Sequence, residues 1–191
     1  GGVVVNGAAG YAFAYSKGLE PIFWAMIAPI FVVRIVVIIA QFMVVGKLGL
    51  TGLPAVFLMT IFWPTGIFIF RNYFQSIPKS LLESARIDGA REGTILMRIV
   101  MPLAKPVIGA AMIFLGMGAL GDYIWQMLNL KTEASRTLVV GLLQTTIDVY
   151  VVKNVGYALA VGTVLFLPYL LLFSLSGKYF IKGISMGGVK E

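Results

Sequence analysis

The sequence predicts an all-α, polytopic transmembrane helix bundle, and three observations carry that expectation. Of the 191 residues, 59% are hydrophobic and only 12% charged, with a mean hydropathy of +0.94. A soluble domain of this size has too little interior to hide so much apolar surface, so the expected solvent is lipid. The apolar residues fall in runs near the 20 or so that a helix needs to cross a bilayer, and the charged residues gather between the runs.

Taken in order, residues 1–15 (GGVVVNGAAGYAFAY) are apolar but short and read as the end of a span that begins upstream. The chain opens without Met, a charged leader or an A-x-A site, which fits a sequence continuing beyond its first residue. Complete spans are expected near 22–44, 54–70, 106–128 and 155–176, giving four spans and part of a fifth. Small residues at Ala8, Ala12 and Ser16, and at Ala158 with Gly162, have the spacing of close helix contacts, and the Gly116, Gly118, Gly121 cluster reads the same way. Residues 129–154 are expected to be irregular and outside.

Between the second and third complete spans lies a charged, Gly- and Pro-punctuated loop, ESARIDGAREGTILMRIVMPLAKP from Glu83 to Pro106. Ser76 and Pro78 mark a helix start, since proline is tolerated where its missing N–H is not needed. Ser80 and Glu83 have capping-box spacing one turn later. Gly89 is a C-terminal stop because glycine enters the left-handed region at little cost. A second short helix is expected from about Arg91 to Met101, ended by Pro102 and Pro106. Leu81, Leu82, Ala85 and Gly89 fall near one face, with Glu83, Arg86 and Arg91 facing water or a partner. Small side chains at Ser84, Ala85, Gly89 and Ala90 leave room for another backbone.

Charge orients the spans. Ten of the fifteen basic residues fall on one side: Lys17, six in the 71–105 loop and three in the tail, against Lys47, Lys131, Arg136 and Lys153 on the other. The positive-inside rule puts the 71–105 loop and the C-terminus in the cytoplasm, and the parity of four crossings agrees. A net charge of +7 spread over short loops suits a membrane protein better than one that binds nucleic acid. With no Cys and no His, thiol nucleophiles, disulfides, common zinc sites and the usual general base are excluded. No P-loop occurs, so no catalytic or metal-ligating residue is expected.

The 83–106 stretch resembles the loop by which permeases of ATP-binding-cassette importers grip their ATPase. Glu83, Ala85, Asp88, Gly89, Ala90, Ile99, Pro102 and Pro106 stand in the places of that motif, with Ser84 for an Ala and Leu96 for a Phe. FRNYFQSIPKSLLESARIDGA, YAFAYSK at 11–17, KLGLTG at 47–52 and the ending LFSLSGKYFIKGISMGGVKE are similar to the carbohydrate-importer branch, the maltose-type second permease above all. In that ending Tyr179, Phe180, Gly183, Gly187, Val189 and Lys190 hold the matching positions.

The resemblance implies one permease domain over 1–191 with a cytoplasmic coupling loop at 75–105, within a full protein of six spans. Glu83, Ser84, Ala85, Asp88, Gly89 and Ala90 would be its ATPase-coupling residues. It implies a bacterial or archaeal cytoplasmic membrane and ATP-driven import of a carbohydrate by alternating access. The alternatives are a permease for another polar solute, such as a glycerol-phosphate-type compound or an amino acid, and a non-transporting membrane scaffold. Implied partners are a second permease subunit, two ATPase subunits that hold ATP and Mg, an external solute-binding protein and the lipid bilayer, with no nucleic acid and no cofactor on this chain. One departure is Leu120–Gln126, where the branch often has W-N-x-F-L-W-P and only Tyr123 and Trp125 keep the aromatic character.

Five residues are candidates for the substrate pathway: Arg34, Gln41, Asp122, Tyr123 and Trp125. Arg34 lies within an apolar run, where an unpaired cation costs about 2.5–3.5 kcal/mol. It either lines the pathway or pairs with Asp122. Gln41, seven residues on, shares its helix face. Tyr123 and Trp125 either stack on a sugar ring or anchor the helix at the interface. Lys131, Glu133 and Arg136 are candidate contacts for a solute-delivering protein.

Overall fold

Helix is the only regular structure among the described residues of the chain, a computed structural model that covers 1–149 and 155–187, with side chains for 1–144 and 155–174. The chain falls into two compact units, one of residues 1–31, 61–112 and 176–191, the other of 32–60 and 113–175.

In the first unit α1 (Gly2–Tyr15) lies along α5 (Pro64–Gln75). The contact is set at Gly10, where a Cβ would stand 2.5 Å from the Phe70 Cβ and 3.0 Å from the Arg71 nitrogen. It runs through buried Asn6 and Gly10, while Ala8 and Ser16 are exposed. The stripe expected at Ala8, Ala12 and Ser16 is therefore displaced, because backbone approach at one glycine, not small size in general, brings the helices together. Arg71 closes the far end: its Nε donates to the Phe13 carbonyl at 3.2 Å, its guanidinium stands 4.0 Å over the Phe23 ring, and it pairs with Glu20.

The span expected at 22–44 is not one helix. α2 (Glu20–Ile27) passes into a 3-10 turn at Ala28–Phe31 and stops. Pro29 has no N–H to donate to the Ala25 carbonyl and crowds it, and Val33 is extended (φ −64°, ψ 119°) before α3 (Arg34–Lys47) begins.

In the second unit α3, α4 (Leu53–Ile61) and α10 (Tyr123–Asn129) enclose Ile38, Val45, Ala55 and Trp125. α9 (Lys105–Gly121) ends before the expected 106–128 span does, because Asp122 leaves the helical region (φ −82°, ψ 58°). Gly116 and Gly121 do make close contacts: added Cβ atoms would lie 3.0 Å from Leu172 and 3.4 Å from the Tyr169 hydroxyl. Gly118 and Gly162 meet open space, and Val161 is the buried residue instead.

The 129–154 stretch, expected to be irregular, contains a 3-10 turn at Glu133–Ser135 and α11 (Leu138–Val149). Thr137 starts α11, its hydroxyl 3.4 Å from the Val140 N–H, and Val139 and Val140 turn inward.

By length and composition, Leu53–Gln75 and Val155–Ser174 can each cross a membrane, the latter within α12 (Val155–Gly187). Glu20–Phe31 with Arg34–Lys47, and Glu92–Leu103 with Lys105–Gly121, reach that standard only as broken pairs, which would bring the total among the described residues to four. The tail positions Lys178, Tyr179, Phe180, Lys182, Gly183 and Gly187 fall beyond the described side chains, and Lys153, Val189 and Lys190 lie outside the described residues.

Candidate functional site

The 75–105 loop folds as two short helices around a glycine elbow. α6 (Lys79–Ile87) starts after Pro78, whose carbonyl accepts from the Leu81 N–H at 3.1 Å. Ser76 belongs to the previous helix, its hydroxyl donating to the Tyr73 carbonyl at 2.7 Å. The capping box at Ser80 and Glu83 does not form, because Ser80 is already inside α6, where its carbonyl accepts from the Ser84 hydroxyl at 2.8 Å.

At the other end the Ala90 N–H donates to the Ala85 carbonyl and the Gly89 N–H to the Arg86 carbonyl, both at 3.0 Å. This is a Schellman turn, and Gly89 has the positive φ of 79° that it requires. α7 (Glu92–Ile95) then runs through a π-helical turn at Leu96–Val100 into α8 (Met101–Leu103). Pro102 does not end this helix. It follows the π-helical turn in a helix continuous from Glu92 to Leu103, and the bend of 74° comes at Ala104, before α9.

Leu82 and Ala85 bury α6 against its own unit, in one core with Phe70, Phe74, Ile95 and Val100. The outward face carries Leu81, Ser84, Ile87 and Asp88, at the 3–4-residue spacing of one helical stripe. Leu81, expected inward, is 42% exposed, and Ile87 is 86% exposed. Glu83 and Gly89 are also exposed and Ala90 is half-buried. The exposure of Ile87 and Met97, the latter 68% exposed, was not legible, since an apolar residue in an amphipathic helix is read as core by default.

Arg86 donates to Glu92 across the elbow at 2.7 Å, and the Tyr11 hydroxyl donates to the other carboxylate oxygen at 3.1 Å. The Arg86 bond above all holds the Glu92 carboxyl below its usual range, against the opposing effect of desolvation and with a lesser contribution from the Tyr11 bond.

The second candidate group lies in the other unit. Arg34 forms an ion pair with Asp122; each stands where helix is interrupted, Arg34 at the first residue of α3 and Asp122 just before α10. Gln41 points an Oε1 into the interior with no hydrogen-bond partner among the described residues. Tyr123 is half-buried. Trp125 is fully buried and donates to the Ala55 carbonyl at 3.3 Å. Its ring packs in the core with Ile38, Val45 and Ala55.

A cavity of about 390 Å³ opens at the α3–α4 turn, lined by Phe42, Leu50, Asn129, Lys131, Thr132 and Ser135 among others. The Lys131 ammonium stands 5.9 Å from the centre of the Phe42 ring, and Glu133 and Arg136 form a loose pair at 3.9 Å nearby in the sequence.

Comparison with known proteins agrees with this architecture. The chain is 34% identical over 146 residues to the arabinooligosaccharides transport system permease protein AraQ of Bacillus subtilis, covering 76% of this chain and 51% of that protein. AraQ of Halalkalibacterium halodurans is 32% identical over 184 residues, 95% of this chain and 65% of its own. The maltodextrin transport system permease protein MalD of Streptococcus pneumoniae is 33% identical over 127 residues, 66% and 45% of the two chains. The chain thus spans between about half and two thirds of the length of these relatives. Residues 4–186 match the family described as the binding-protein-dependent transport system inner membrane component. The chain belongs to that family.

Proposed function

We propose that this chain is part of a permease subunit of an ATP-driven importer that moves a carbohydrate across the cytoplasmic membrane. The observation that carries the reading is the loop at 76–104: a nine-residue helix, closed by a Schellman turn, rests on Leu82 and Ala85 and turns Leu81, Ser84, Ile87 and Asp88 outward. An isoleucine exposed in this way on a polar loop suits a groove in a partner. The partner would be an ATPase subunit, with ATP and Mg held there.

The full assembly would hold a second permease, two ATPase subunits and an external solute-binding protein. Closure of the ATPases on ATP would draw the two loops together and rock the spans between inward-open and outward-open states. The free Oε1 of Gln41 would be satisfied by a sugar hydroxyl or by the second permease. The cavity beside Lys131 would lie on the outer side, where the solute-binding protein docks. Carbohydrate is favoured as cargo because the relatives named above are transport permeases for arabinooligosaccharides and maltodextrin.

The test is reconstitution of the full-length protein with its partner subunits in liposomes, followed by uptake of labelled arabino- and maltooligosaccharides, a polyol phosphate and an amino acid. ATP-dependent uptake of a saccharide supports the reading. Uptake of only the other solutes would reassign the cargo, and an assembled complex that moves none of them would leave a scaffold.

A further inference from the structure

The coupling loop is fastened to its unit by three tyrosine hydroxyls, none belonging to the motif. Tyr15 donates to the Phe74 carbonyl at 2.6 Å, just before the loop. Tyr73 donates to the Leu103 carbonyl at its far end. At the elbow Tyr11 donates to Glu92 Oε2 at 3.1 Å, while the Arg86 Nε donates to Glu92 Oε1 at 2.7 Å. Only this last attachment joins three elements: α6 through Arg86, α7 through Glu92 and α1 through Tyr11.

The Tyr11 ring is itself fixed, tilted against Tyr15 with centroids 4.9 Å apart and edge-on to Phe74 at 5.9 Å. Its hydroxyl therefore presents a defined point on α1. The Arg86 and Glu92 side chains are 43% and 60% exposed, and ion pairs in such surroundings add little to stability. The geometry is better suited to fixing a direction than to holding the fold.

We propose that Glu92 is a positioning residue that passes displacement of α6 on to α1, through Arg86 on one side and Tyr11 on the other. This rests on the reading of α6 as the ATPase-docking helix. A push on the outward face of α6 has two kinds of route into the unit: the apolar seat of Leu82 and Ala85, which is shared with α5, the second loop helix and Val3, Ala14 and Tyr15 of α1, and the Arg86–Glu92–Tyr11 chain, which among the described residues is the one that runs from α6 to α1 through directional bonds. With Glu92 neutralised the helix still docks and ATP is still hydrolysed, but α1 follows less completely and fewer substrate molecules cross per ATP.

The experiment uses the complete transporter in liposomes and reads substrate moved per ATP hydrolysed, co-purification of the ATPase and melting temperature. Glu92→Gln keeps the size of the side chain and is expected to retain wild-type ATPase binding and melting while the transport-to-hydrolysis ratio falls roughly tenfold. Tyr11→Phe, which removes one hydroxyl, is expected to lower the ratio in the same direction. The reversed pair Arg86→Glu with Glu92→Arg restores the contact across the elbow and is expected to recover most of the ratio. An unchanged ratio in both Glu92→Gln and Tyr11→Phe, with the ATPase bound, overturns the proposal and leaves the docking reading standing. A wild-type complex that holds no ATPase overturns the docking reading, and this inference with it.

Discussion

Asn6 shows how one polar side chain can replace backbone bonds that a helix break removes. Pro64 interrupts the passage from α4 to α5, and there the Ile61 carbonyl accepts from the Asn6 amide at 2.7 Å while the Trp63 N–H donates to its oxygen at 3.0 Å. Asn6 is fully buried, yet nothing in GGVVVNGAAG separates a bridging asparagine from an incidental one, because its partners lie 55 and 57 residues away. Asn6→Ala removes both bonds, and that to the Gly2 carbonyl, and should destabilise the protein by about 2–6 kcal/mol, at about 1–3 kcal/mol for each of the two groups at the break left unpaired, read as a lowered melting temperature in detergent. The Arg34–Asp122 pair, by contrast, was legible, since Asp122 is the obvious carboxylate near an apolar run. Arg34 is 54% exposed and Asp122 15%, so Arg34→Ala should cost nearer 1 kcal/mol than the 3–5 kcal/mol of a buried pair. Arg34→Met with Asp122→Leu should recover most of the lost melting temperature, and equal melting of the single and double variants would show that the pair contributes nothing.

Among the elements, the two short helices of the 75–105 loop were the most legible, because glycine and proline act through the local backbone. Gly89 was readable as a stop from its place after an amphipathic turn, whereas the run through Pro102 was not, because nothing in the residues announces the π-helical turn at Leu96–Val100 that precedes it. The break at Pro29 was missed because the apolar run hid it, and α11 because its polar flanks resemble a loop. At Gly89 a Cβ would meet nothing within 4 Å, so a side chain is opposed only by the left-handed backbone, at about 1–2 kcal/mol and more for a β-branched residue. Gly89→Val should therefore insert normally but open the Schellman turn and displace α6. The expected result is at least a tenfold loss of ATPase co-purification from the assembled complex. Wild-type co-purification together with wild-type substrate-stimulated hydrolysis would remove α6 from the docking role.

For the whole molecule, composition and the spacing of basic residues were enough for the helical membrane class, while the continuity of the spans was not, because hydropathy averages over a break of two or three residues. Orientation remains open to direct measurement. The chain has no cysteine, so Arg91→Cys and Ala134→Cys, both at exposed positions, report without background. An impermeant maleimide applied to intact cells should label position 134 and spare 91, and the opposite pattern would invert the topology. The division into two units, each assembled from separated pieces of sequence, has a consequence for biosynthesis. Arg34 leaves the ribosome 88 residues before Asp122, an interval of about 4–18 s at ordinary elongation rates. For that time the nascent chain carries a cation whose counter-charge does not yet exist. A guanidinium in mid-helix would be stranded in hydrocarbon, whereas one at a helix end can send its long side chain to the lipid headgroups until the acid arrives. The interruption at Val32–Val33 makes Arg34 the first residue of α3, and such an end, placed at the bilayer surface, would let its charge reach the headgroups while the protein is being made.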